Sequence, residues 1–301
     1  MKHIIVPATS ANMGSGFDSV GIAFQKYNHL WYVEIEEGIQ ILINRKQGLK
    51  VPTDENNLIY KTMKDFFDMV GKPMPGVRLI QEDYIPHTRG LGSSAACIVA
   101  GLIAANDLSG CHYSTDDLSQ IAAQIEGHPD NSNPALLGGM VVGALNQTEM
   151  RHVKVNIPSN LTFAVMVPDF PVPTEKSRDI LPRTVLRKDA IFNSSRAALL
   201  VASMITGNID NLKMAMDDRL HQPYRMQLVP GMDGIFKAAD KFGSKGSYLS
   251  GAGPTLVSVI TDDMADDFKK NMDNYLSSIK DHHWELEILK PDLLGARIVE
   301  G

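Results

Sequence analysis

The run Ile85-Pro86-His87-Thr88-Arg89-Gly90-Leu91-Gly92-Ser93-Ser94-Ala95-Ala96 constrains this chain more than any other stretch. Pro86 and the glycines break regular structure, and Gly90 and Gly92 lack the Cβ that would keep a ligand away from the backbone. Ser93 or Ser94 then opens a run, Ala95 to Leu108, with high helix propensity and no glycine except Gly101. A glycine loop running into a helix N-terminus offers unpaired N–H groups and the positive end of the macrodipole to an anion. A serine hydroxyl in the first turn can reach a magnesium ion. The stretch reads as a polyphosphate cradle, with an N-cap after a tight turn as the plainer alternative.

Two better-known phosphate motifs are excluded. A Walker A loop ends in Gly-Lys-Ser/Thr, but Gly71-Lys72 is followed by Pro73. A dinucleotide fingerprint needs a third glycine three residues after Gly14-Ser15-Gly16, where Ser19 stands.

With 301 residues, the chain is long enough for a large core and two domains. A hydrophobic content of 44% with 21% charged residues is that of a folded globular protein, and a net charge of -6 argues against a nucleic-acid partner. The N-terminus lacks the features of a signal peptide and no apolar run reaches membrane-spanning length, so a cytoplasmic protein without a membrane partner is expected. Cys97 and Cys111 are too few for a disulfide framework and have no metal-ligand spacing, so they read as packing thiols.

Along the chain, a strand from Lys2 to Ala8 delivers a loop, Pro7 to Asp18, dense in small polar residues and glycine. There Asn12 can donate and accept and Asp18 only accept, a pairing suited to a ligand with an ammonium or a hydroxyl. Strand patterns at Val20–Phe24, His29–Glu36 and Ile39–Asn44 predict a meander. Helical spacing follows at Asn57–Val70, a strand at Val77–Gln81, then helices at Ser93–Leu108 and, capped by Ser114 or Thr115, at Asp116–Glu126. The segment from Glu126 to Gly139 holds a carboxylate that could bind magnesium, the ambiguous His128, and a short helix starting at Asp130 or Asn131.

The domain boundary falls near Ile157-Pro158, giving domains 1–157 and 158–301. In the second half Thr174 is expected to cap a short helix carrying Arg178, and a turn holds His221 to Arg225. A third glycine loop, Ser250-Gly251-Ala252-Gly253-Pro254-Thr255, lies between two strands and can pack against the first two loops.

Together these loops resemble the GHMP kinase superfamily, and within it the homoserine kinases, over the whole length. The resemblance rests on Val6 to Asn12 with Gly14, Gly16 to Ser19, Arg89 to Ala96, Glu126 to Asn131, Pro134 to Gly139 and Ser250 to Thr255. Met13, Ser15 and Ser132-Asn133 depart from the usual pattern without removing a chemical group.

The resemblance implies an α+β, two-domain GHMP kinase fold, with an N-terminal half like ribosomal protein S5 domain 2 and a ferredoxin-like C-terminal half. It implies ATP-dependent phosphorylation of the L-homoserine hydroxyl to O-phospho-L-homoserine, with Mg2+, on the way to threonine, by a homodimer. The cradle from Pro86 through His87, Thr88, Arg89, Gly90, Leu91, Gly92, Ser93 and Ser94 to Ala95 and Ala96 would hold ATP. Ser93 or Ser94 with Glu126 would hold the metal. Asn12, Asp18, His128, Asn131, Thr174, Arg178, Arg225 and Gly253 would surround the amino acid, with Asp18 on its ammonium and the arginines on its carboxylate.

Asn131, Arg178 and Glu126 are expected at the reaction centre. Mevalonate kinase has a catalytic aspartate seven positions before the Gly-Gly pair, where this chain has Asn131. No protein base is therefore expected at that position, with neighbouring Asp130 as the rival. A sister kinase with another alcohol substrate and a non-catalytic ligand sensor are the competing readings.

Overall fold

The computed structural model describes residues 1–45, 51–147 and 149–299. Residues 300 and 301, the end of the expected second domain, lie outside the described residues. Strands β1 (Lys2–Ala11) and β2 (Val20–Ile35) pair antiparallel at the centre of the first sheet. The sequence pattern divides β2 in two, but the structure has one strand of 16 residues. A bulge explains the difference: Pro7 pairs with Tyr27 and Ala8 with Phe24, so Gln25 and Lys26 are absorbed without ending the strand. The bulge also accommodates a proline, which cannot donate to the ladder, inside a paired strand.

The expected meander does not form. Strand β3 (Ile39–Arg45) runs parallel to β4 (Gly76–Asp83), which separates it from β2. Parallel neighbours need a crossover, and α1 (Leu58–Val70) supplies it, started by the Asn57 side chain accepting from the Ile59 and Tyr60 N–H groups. Helix α2 (Ser93–Ser109) is apolar nearly all round because it is buried nearly all round, packing on α1 and β1. Helix α3 (Thr115–Glu126) begins with a capping box between Ser114 and Asp117, and α4 (Ser132–Leu137) follows Asn131. Strands β5 (Met140–Leu145) and β6 (Met150–Val155) extend the sheet from β2.

The second sheet opens with β7 (Leu161–Pro168). Helices α5 (Thr174–Asp179), α6 (Arg187–Thr206), α7 (Leu212–Ala215), α8 (Gln222–Arg225) and α9 (Met232–Lys241) then precede β8 (Gly246–Leu249) and β9 (Leu256–Thr261). Helix α10 (Ala265–Ser277) and β10 (Trp284–Leu289) complete it. The strand order β10-β7-β9-β8, antiparallel throughout, is a ferredoxin-like 4-1-3-2 arrangement. The capping role expected of Thr174 is not observed: Pro173 is the N-cap, its carbonyl accepting from Ser177 N–H, so Thr174 is already helical. A last short strand, β11 (Arg297–Val299), returns to pair with β1, so these residues of the expected second domain belong to the first sheet.

Strand alternation divides the packing of β7 and β9. Phe163, Val165, Val257 and Val259 join the main core, which also contains Ile4, Ile22, Phe24, Val99 and Leu200. Ala164, Met166, Leu256 and Ile260 face a smaller core made with α9 and α10. The main core therefore runs unbroken from one sheet into the other.

Candidate active site

The three glycine loops meet because side chains are missing where they touch. A Cβ on Gly90 would sit 2.3 Å from the Ser250 carbonyl oxygen and one on Gly92 1.9 Å from Thr9 Oγ1, while one on Gly14 would sit 2.2 Å from the Met216 carbonyl oxygen just after α7. Main-chain bonds fasten the contact, from Thr9 N–H to the Leu91 carbonyl (3.2 Å), Gly251 N–H to Ala11 (3.2 Å) and Thr255 N–H to Arg89 (3.2 Å). The loops line one cavity of about 710 Å³. Every sequence-predicted site residue borders it except Ala96, which faces the core at the edge of the cradle, and Gly253. In the third loop Gly251 and Ala252 take that place.

Gly92 is the N-cap of α2 in the left-handed region (φ 70°), and no side chain caps the helix. The first N–H groups of α2 are thus free of side-chain caps, as an anion seat requires. Not every cradle side chain points to a ligand. Arg89 donates from Nε to the Pro168 carbonyl (3.0 Å) and from Nη2 to that of Asp169 (2.7 Å), which makes it a brace to the second sheet. His87 Nε2 bonds Asp83 Oδ2 (3.2 Å), and Ser93 Oγ lies 3.2 Å from His87 Nδ1. Because a carboxylate only accepts, the neutral His87 ring carries its proton on Nε2 and takes the Ser93 hydroxyl at Nδ1. Ser94 is exposed and its hydroxyl makes no hydrogen bond among the described residues.

Glu126 stands at the end of α3. Its Oε2 is enclosed and has no hydrogen-bond partner among the described residues. Burial, opposed by His128 and reinforced by Asp130, pushes its carboxyl up to about 7. An orphaned, enclosed carboxylate oxygen bordering a phosphate cradle suits a divalent cation, which would supply the missing partner and keep the group ionised.

The other end of the cavity is built from charged side chains. Arg178 donates to Asp18 from Nη2 (2.9 Å) and Nη1 (3.3 Å). His128 Nδ1 and Asp130 Oδ1 are 2.6 Å apart; burial alone would lower the His128 pKa, but this bond and the Asp130 charge raise it. Asp18, His128 and Asp130 place donor atoms within 4.8 Å of one another, yet Arg178 and the His128–Asp130 pair already balance their charges. Asp130, committed to His128, is poorly placed to serve as a base. Asn131 Oδ1 accepts from Thr9 Oγ1 (2.9 Å).

Asn12 turns out to be a latch: Nδ2 donates to the Gly251 carbonyl (3.0 Å) and Oδ1 accepts from Asp18 N–H (3.0 Å). Asn12, Met13 and Asp18 all have positive φ (72°, 44° and 54°), unusual strain for three non-glycine residues in one loop. Arg225 is 2% exposed. It donates from Nε to the Ser177 carbonyl (3.2 Å) and from Nη1 to that of Gly251 (2.9 Å), while Nη2 makes no hydrogen bond among the described residues. Burial, with Arg178 nearby, lowers its pKa to about 10.

Residues 57–139 match the family model for the GHMP kinases N terminal domain, and residues 197–278 that for the GHMP kinases C terminal region. The chain belongs to the GHMP kinase family. Homoserine kinase of Caldicellulosiruptor saccharolyticus is 45% identical over 299 residues, covering 99% of this chain and 96% of that protein. Homoserine kinase of Clostridium botulinum is 42% identical over 295 residues, covering 98% and 97%. The crystal structure of homoserine kinase from Cytophaga hutchinsonii matches this GHMP kinase with a TM-score of 0.90 at 27% identity, over 99% and 97% of the two chains.

Sequence reasoning missed one end of the GHMP kinase cavity: Val51, Pro52, Asn56, Leu58, Gln81 and Ile98. Its only signal was the turn-rich approach to α1, which looks like any helix entry. Asp218 and His221, in the turn before the predicted Arg225, were also given no part. Among the described residues no helix is long and apolar enough to cross a membrane.

Proposed function

We propose that the chain is a homoserine kinase that moves the γ-phosphoryl group of ATP to the hydroxyl of L-homoserine, giving O-phospho-L-homoserine and ADP on the route to threonine. The observation that carries this reading is a single cavity joining an uncapped helix N-terminus to a pocket with one carboxylate, Asp18, and two guanidinium groups, Arg178 and Arg225. A zwitterionic amino acid suits that pocket, with its ammonium on Asp18 and its carboxylate on the buried Arg225 and on Arg178. Arg178 would then shift from Asp18 toward the incoming carboxylate.

The phosphates of ATP would lie over Gly90 to Ser94, and the base would occupy the end lined by Val51, Pro52, Leu58 and Ile98. Glu126 and Ser94 are the residues that would hold Mg2+; Ser93 is the less suitable serine because His87 engages its hydroxyl. Bound there, the ion would neutralise phosphate charge. The protein's own part is positioning: cradle N–H groups bind the donor, and the acceptor pocket aims a hydroxyl along the line of transfer. Asn131 would orient that hydroxyl through its amide, and its proton would leave to a phosphate oxygen or to water.

The test is ADP release from ATP and Mg2+ with L-homoserine, L-serine, L-threonine, mevalonate, galactose or shikimate. L-Homoserine should be the preferred acceptor. Turnover with another alcohol would overturn the substrate, and nucleotide binding without any turnover would favour a sensor.

A further inference from the structure

His221 was given no part by the sequence and does not border the cavity, yet it is completely buried between Arg225 and the loop that carries Asp18. Its Nε2 bonds the Gly14 carbonyl at 2.8 Å and its Nδ1 bonds Arg225 Nη1 at 3.2 Å. A carbonyl only accepts and a guanidinium only donates, so the ring is held as the neutral Nε2–H tautomer with neither nitrogen spare. The ring also stacks on Phe17, centroids 4.9 Å apart, and Phe17 directly precedes Asp18. One side chain thus ties the carboxylate-binding arginine to the loop that carries the ammonium-binding aspartate.

The platform beneath is stiff. Asp218, itself buried, accepts from the N–H groups of Leu220 (2.9 Å), His221 (2.9 Å) and Gln222 (2.6 Å) and from Asn193 Nδ2 (2.8 Å). Asn193 Nδ2 also reaches the Ser15 carbonyl (3.3 Å), and Ser15 Oγ donates to that of Ala215 (2.6 Å). The loop from Gly14 to Asp18 and the turn bearing Arg225 therefore form one block, with His221 as its cross-tie.

We propose that His221 is a positioning residue that fixes Arg225 relative to Asp18 and so selects the chain length of the hydroxy amino acid. The inference rests on the acceptor reading given above. An α-amino acid carries its ammonium and carboxylate on one carbon, so gripping both groups sets where that carbon sits. The number of carbons between it and the hydroxyl then decides whether the hydroxyl reaches the cradle. If Arg225 can drift, the carbon drifts with it, and discrimination by length is lost before nucleotide binding suffers.

The experiment compares His221→Phe, which keeps a ring for Phe17 but no nitrogen, with His221→Gln, which keeps a donor and an acceptor, and His221→Asn, too short to span both partners. Each is assayed for acceptor KM, ATP KM, kcat, and kcat/KM on L-homoserine against L-serine and 5-hydroxy-L-norvaline. His221→Phe and His221→Asn should raise the acceptor KM at least about tenfold, the scale of one lost hydrogen bond, with ATP KM within about twofold. Preference for L-homoserine should fall at least about fivefold, and His221→Gln should recover most of both.

A parallel rise in ATP KM, unchanged length preference, or a Gln variant no better than Asn would overturn the proposal. Should His221→Phe not fold, the Gln and Asn pair gives the same reading. If the wild-type enzyme turns over a different alcohol, the homoserine reading falls, and the cross-tie stands or falls on the same KM split for that alcohol.

Discussion

The two ends of the cavity are made of different material. The end proposed for phosphate is main chain: a helix start with no side-chain cap and loops brought together by the absence of Cβ atoms. The end proposed for the acceptor is side chain: Asp18, His128, Asp130, Arg178 and Arg225, drawn from both halves and braced by Asn12 and His221. Phosphate is the same in every nucleotide, so a fixed backbone cradle suffices for it. An acceptor has to be told apart from its relatives, which takes charged groups of defined reach. Side-chain removal should therefore hurt one end, and side-chain addition the other.

The largest effect is expected where the two ends meet. Glu126→Gln should lower turnover by roughly a thousandfold or more by weakening the hold on a divalent cation. The same variant has a pH signature in metal-free protein. Since the folded carboxyl titrates near 7 and its ordinary value is 4.5, the native state holds the extra proton between these pH values. Wild-type stability should fall as pH rises through that window and level off above it. At pH 8 without metal, Glu126→Gln should be more stable than wild type by about 1–3 kcal/mol, with the advantage gone near pH 4. Denaturant melts at both pH values measure it; equal gaps would show that burial does not penalise this carboxylate.

At the acceptor end, Asp18→Asn should raise the acceptor KM about a hundredfold, the scale of a lost charge-assisted bond, and leave ATP KM within about twofold. If both constants rise together, the two ends are not separable.

The cradle supplies a contrasting pair. Gly92→Ala adds a single methyl group, but at positive φ and 1.9 Å from Thr9 Oγ1. It should cut kcat/KM for ATP roughly 10- to 100-fold. Arg89→Ala removes a whole guanidinium, yet one that braces the Pro168 and Asp169 carbonyls at the end of β7. It should move ATP KM less than about threefold while lowering stability by about 1–2 kcal/mol. A large ATP KM effect from Arg89→Ala would mean that the cradle works through side chains after all.

This division also explains what could be read in the sequence. The cradle is one contiguous run whose glycines, serines and helix start are all local signals, so Gly90, Gly92 and the start of α2 were legible. Helices with clear spacing or caps, such as α1 and α3, were equally so. The acceptor residues are scattered from Asn12 to Arg225, and only the resemblance to GHMP kinases grouped them. Strand pairing was the weakest point, because a pattern of alternation does not name its partner: β3 joined β4 in place of β2, and β11 is too short to signal at all. His221 was missed because a histidine before a proline-bearing turn carries no mark of the arginine four residues on that it supports.

Phe163 and Val165 lie in the same continuous core as Ile4 and Phe24, although they belong to different sheets. The two halves are therefore not interchangeable modules. A break in the chain near residue 157 would leave each piece with a bare apolar flank, and the pieces would have to find each other again before either could hold its shape. Heat should take them apart together, and any opening of the cavity must come from its loops, since the join beneath them offers no hinge.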